Sequence, residues 1–160
     1  MSDTGIHTGS KRRMRIVHVA FNQARKLPPL VAELRALRGD FEQVLILPDY
    51  DQDHAWLREN LPDVRIVLLR MRSREWSDRQ TPLVKLLRFK EFTLRAMAAV
   101  RRARGDVLVG HDMPGMLPLL PWVEATPSRV LFNAHELWTE AAEANAPLRP
   151  LWRFAERHVV

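Results

Sequence analysis

Two histidine–acid pairs stand at the ends of short apolar runs: Gly110-His111-Asp112 closes DVLVG, and Asn133-Ala134-His135-Glu136 follows RVLFN. Imidazole and carboxylate are the groups of acid–base work and of divalent-metal ligation. As metal ligands these four are badly spaced, because neighbours in sequence point in different directions and neither pair has the helical i, i+4 repeat of a typical zinc motif. No metal is expected. The bland readings are a helix cap for Asp112, a buried hydrogen-bonded imidazole for His135, and pairing with Arg129 or Arg157 for Glu136. A third stretch of interest is the loop FNQARKLPP, which follows the apolar run RIVHVA.

What is missing narrows the chemistry. With no cysteine, thiolate zinc sites, disulfides and cysteine nucleophiles are excluded. The loop after the first apolar run has no glycine, so a dinucleotide G-x-G-x-x-G turn is absent. Neither a G-x-x-x-x-G-K-[ST] phosphate loop nor a G-x-S-x-G nucleophile elbow occurs.

These candidate residues need a frame. Arg15 to Ala20, Gln43 to Leu47, Val64 to Leu69, Asp106 to Gly110 and Arg129 to Asn133 are short, β-branched or leucine-rich runs that predict five strands. Between them, Pro29 opens a segment with Leu30, Leu34 and Leu37 at helical spacing that stops at Gly39, and HAWLRENL forms a short helix ending at Pro62. Thr81-Pro82 starts the longest helix, which Gly105 terminates. Prolines 114, 118, 121 and 127 make any helix between the last two strands short or irregular. Nearly continuous apolar strands alternating with helices predict an α/β, Rossmann-like parallel sheet covered on both faces. In such sheets ligands bind beyond the carboxyl ends of the strands, where the three candidate stretches fall.

The chain has 160 residues, 46% of them hydrophobic and 28% charged, enough for one domain. Its longest apolar runs fall far short of the roughly 20 residues that cross a bilayer, and no apolar stretch of a secretory signal follows the basic start. A cytoplasmic protein is expected. Residues 1–13 mix small, polar and charged groups without periodicity and read as a disordered tail. The formal charge of +6 is local: residues 82–104 carry seven Lys/Arg against Glu91 alone. On that helix Leu83, Leu86, Leu87, Leu94 and Met97 share one face, while Arg88, Arg95 and Arg102 lie on the opposite one. The arginine face reads as solvated; contact with an anionic membrane surface at the inner face, or with an acidic partner, is the alternative. Phe89 and Phe92 read as half-buried rather than as base-stacking groups, so no nucleic acid is expected. Leu148 to Arg157 reads as a further helix and His158-Val159-Val160 as the start of another strand, so residues 14–160 are expected to be one domain of a longer chain.

DVLVGHDMPGMLPLL followed by SRVLFNAHELWTEAAE resembles the N-terminal domain of GT-B fold glycosyltransferases, specifically retaining family 4, also called group 1. There a strand ends near His-Asp, about twenty residues intervene, and a second strand runs into Asp-x-His-Glu; here Asn133 replaces the Asp. FNQARKLPPLVAELRALRG also resembles that family's first loop and helix. The resemblance implies the acceptor-side half of a two-domain enzyme that moves a sugar from a nucleotide-sugar to an acceptor, which is a sugar, a lipid or a small molecule. It implies a catalytic position for His135 near the transferred sugar, and substrate contacts for His111, Asp112 and Glu136. Arg25 and Lys26 stand in for the family's glycine-rich loop as partners for phosphate or an anionic acceptor. No cofactor or metal is implied, because a diphosphate leaves readily once its charge is met by cations and helix N-termini. The donor-binding groups belong to a C-terminal domain, so these 160 residues alone are expected to be inactive.

Two alternatives stand beside this reading. One is half of a nucleotide-sugar 2-epimerase, which shares the architecture but needs further acid and base residues. The other is a stand-alone Rossmann-like binding or scaffold domain that docks through the basic helix.

Overall fold

The computed structural model describes residues 12–49, 54–72, 81–123 and 127–134. His135, Glu136 and the helix and strand expected over 148–160 lie outside the described residues, as does most of the expected N-terminal tail.

Five strands form one parallel sheet: β1 (Arg15–Val19), β2 (Glu42–Pro48), β3 (Val64–Leu69), β4 (Val107–His111) and β5 (Arg129–Asn133), in the order β3-β2-β1-β4-β5. The architecture is α/β and Rossmann-like. Because each chain return must cross the sheet, helices cover both faces. On one face α1 (Pro28–Ala36) and α2 (His54–Asn60) bury Leu30, Val31, Leu34 and Leu57 against Ala20, Leu45 and Leu47 of the sheet side. On the other, α3 (Pro82–Ala103) packs Phe92, Ala96 and Val100 against Val17, Val19, Val44 and Ile46. Alternation along each strand separates these two cores, so Val17 and Val19 face α3 while His18 faces α1. The one polar side chain buried in β2, Gln43, is accommodated by donating from Nε2 to the Leu34 carbonyl at 2.9 Å.

The orientation of α3 corrects the sequence expectation. The leucine stripe faces away from the sheet, with Leu83 66%, Leu87 57% and Leu94 57% exposed, whereas Phe89 and Phe92 are buried rather than half-buried. Arg88 is buried with them and Arg95 is half-buried, paired with Glu91 at 2.9 Å; of the three only Arg102 is exposed. The physical reason lies in shape: Ala96, Ala99 and Ala103 leave a flat surface that lets the helix lie close to the strands, with two phenylalanines filling the space at its N-terminal half. Phe21 of the loop after β1 stacks on Phe89 and meets Phe92 edge-on, at ring-centre distances of 4.8 and 4.9 Å.

The end of α3 differs in detail as well. Arg104, not Gly105, takes the left-handed conformation, with φ 51°. Gly105 is required by close approach instead, since a Cβ there would lie 2.7 Å from Cγ2 of Val17. The segment between β4 and β5 is irregular as its prolines demand: α4 (Asp112–Met116), a 3-10 turn at Leu117–Leu119, and α5 (Leu120–Val123).

Candidate functional site

Strand order reverses between β1 and β4, the topological switch point where open α/β sheets bind ligands. Parallel register sets which side chains meet there. His18 pairs with Val109, and His111 with Asn133, which places His18, His111 and Asn133 on the face that α1 covers. Glu33, in the middle of α1, completes the group.

His18 is fully shielded from solvent and His111 is 1% exposed. Nδ1 of His18 lies 3.1 Å from Nε2 of His111, across 93 residues of sequence. Glu33 turns one carboxylate oxygen, Oε1, to within 3.8 Å of the same His18 nitrogen, while its other oxygen accepts a 2.7 Å hydrogen bond from Nδ2 of Asn133. Burial pushes the His18 imidazole down to about 4, because the charged form loses its hydration. Near neutral pH His18 is therefore uncharged, and its approach to Glu33 is not an ion pair. Nε2 of His18 has no hydrogen-bond partner among the described residues.

The backbone at the end of β4 is bent sharply to start α4. Asp112 is buried and adopts φ 55°, a conformation that costs a non-glycine residue on the order of 1–3 kcal/mol and persists where surrounding packing imposes it. That packing is visible at Gly115, where a Cβ would lie 2.3 Å from the carbonyl oxygen of Val19. The first turn of α4 thus presses on the carboxyl end of β1, and Asp112 is the residue that takes the strain. Its side chain does not cap α4 as a conventional N-cap, since the capping position is His111.

The sequence candidates separate into three groups. His111 and Asp112 sit at the switch point, inside the protein. Arg25 and Lys26 are exposed in a 3-10 turn after β1 that buried Ala24 begins, at the same end of the sheet. His135 and Glu136 lie outside the described residues, although Asn133, two positions before His135, is anchored to Glu33. Sequence reasoning passed over His18 and Glu33. The signal for His18 was a histidine alternating with Val17 and Val19 inside an apolar strand; nothing local marks Glu33, whose role depends on where α1 crosses the sheet.

No family model matches the chain, and no curated protein matches it.

Proposed function

We propose that the chain is the N-terminal, acceptor-side half of a retaining glycosyltransferase that moves a sugar from a nucleotide-sugar to an acceptor. The observation that carries this reading is the register of β4 and β5, which sets His111 opposite Asn133 at the carboxyl edge of a five-stranded parallel sheet. His111-Asp112 and the strand that leads into the second His-acid motif thus end side by side, at the edge where a second domain would close a cleft. In this reading His135 stands beside the transferred sugar, Asp112 and Glu136 bind substrate, and His111 supports the site from within, anchored on His18. The exposed Arg25 and Lys26 meet the anionic charge of phosphate or acceptor. The donor diphosphate departs with its charge stabilised by cations and helix N-termini, chiefly from the second domain, so the step needs neither a cofactor nor a metal from this half.

Helix α3 supports a peripheral contact with an anionic membrane in the cytoplasm. Leu83, Leu87, Lys90, Leu94, Met97 and Arg101 recur every three or four residues and form one stripe of apolar and basic groups on its outer side. No helix among the described residues is long and apolar enough to cross a membrane. The same exposed leucines favour the second reading, a binding module that docks on a partner through α3. Native mass measurement separates the two: a stable complex with another subunit supports the module.

The test of the first reading is sugar transfer by the full product of the gene, assayed with radiolabelled UDP- and GDP-sugars. Transfer that falls at least a hundredfold in His135→Ala, with the fold intact, supports it. Absence of transfer and of donor hydrolysis with every donor contradicts it.

A further inference from the structure

We propose that His18, Glu33 and His111 form a binding site for one divalent cation of the zinc class, set between β1, β4 and α1. The site shares His111 and His18 with the proposed transfer site, but its test does not depend on sugar transfer.

Three donor atoms from three elements converge. Nδ1 of His18 is 3.1 Å from Nε2 of His111 and 3.8 Å from Oε1 of Glu33, and one ligand atom from each residue lies within 4.8 Å of the others. Tetrahedral zinc with bonds of about 2.0–2.1 Å holds its ligands about 3.3–3.4 Å from one another, and the two distances from Nδ1 of His18, 3.1 and 3.8 Å, lie on either side of that value. A hydrogen bond between the two rings accounts for the first distance only. It leaves Oε1 beyond hydrogen-bond reach of His18.

The surroundings suit ligation. A dry interior disfavours imidazolium and leaves the lone pairs that a metal requires. Asn133 holds Oε2 of Glu33 and so turns Oε1 toward the histidines, the outer-shell arrangement that orients metal-binding carboxylates. Two imidazoles and one carboxylate are nitrogen and oxygen donors that suit zinc and the neighbouring first-row divalent ions, and as three protein ligands they leave a fourth position for water or substrate. The Glu33 side chain, 28% exposed, marks the path by which an ion enters.

The test uses the full chain, stripped with a chelator and titrated with Co2+ while visible ligand-field bands are followed, then with Zn2+ in competition. The expected result is one equivalent of cobalt with the intense bands of a four- or five-coordinate ion, displaced by zinc. Glu33→Gln, at a partly exposed helix position, keeps its far-ultraviolet dichroism and binds at least about tenfold more weakly, and Asn133→Ala weakens binding about tenfold. A chain with His7, His54 and His158 replaced by Ala binds as tightly as the original. No bands from the folded chain, unchanged affinity in Glu33→Gln, or loss of binding in the triple replacement would each overturn the proposal. Should His18→Asn or His111→Asn not fold, Glu33→Gln decides.

Discussion

Nδ1 of His18 and Nε2 of His111 face each other at 3.1 Å in the interior of the sheet, where His18 has no exposed surface. The pair has a consequence for acid stability. In the unfolded chain His18 takes up a proton near pH 6.5, but in the folded chain only near 4. Above pH 6.5 both states are neutral and the group contributes no pH dependence. As pH falls from 6.5 to 4 the unfolded state alone gains the proton, so stability declines by at most about 3 kcal/mol. Chemical unfolding in chelator across this range should show that decline, with a shallower slope in His18→Asn. Equal slopes would mean that burial of His18 does not set this decline.

Asn133 donates to Glu33, and an aspartate there could not. Asn133→Asp replaces a hydrogen bond with two facing carboxylates, and is expected to cost about 1–3 kcal/mol at pH 7. The loss should shrink at low pH, where one carboxyl becomes protonated and donates. Urea unfolding at pH 7 and pH 4.5 checks both signs. The asparagine that departs from the resembled family's Asp is in this way matched to Glu33.

Gly115→Ala is expected to destabilise the chain by more than 2 kcal/mol, because its Cβ would meet the Val19 carbonyl at 2.3 Å and backbone cannot yield as a side chain does. Calorimetry should show a clear fall in the unfolding midpoint, with the strained Asp112 turn disturbed alongside. An unchanged midpoint would mean that α4 does not press on β1.

The two faces of α3 should respond oppositely. Phe92→Ala, at a fully buried position, is expected to cost about 3–5 kcal/mol. Leu87→Gln, 57% exposed, should change the stability of the isolated chain by less than about 0.5 kcal/mol while weakening its cosedimentation with anionic vesicles. A large destabilisation by Leu87→Gln would restore the leucine stripe to the core.

This helix also marks where sequence reasoning stops. The five strands are legible because each is a short apolar run bounded by turn residues, and their alternation with helices implies the parallel sheet. The helix face is not legible: leucine outranks alanine in hydrophobicity, but close approach to a flat sheet selects Ala96, Ala99 and Ala103. At the site, His111 and Asp112 could be picked out because they follow a strand. Their partner His18 could not, since a contact spanning 93 residues depends on strand order, and Glu33 depends on how α1 crosses the sheet.

The measurement that bears most directly on the proposed function is proton NMR of the product formed from a nucleotide-sugar by the full product of the gene. The expected product is a glycoside whose anomeric configuration matches that of the donor, formed without added metal. An inverted anomer, or a donor that remains unchanged with every acceptor class, would contradict it.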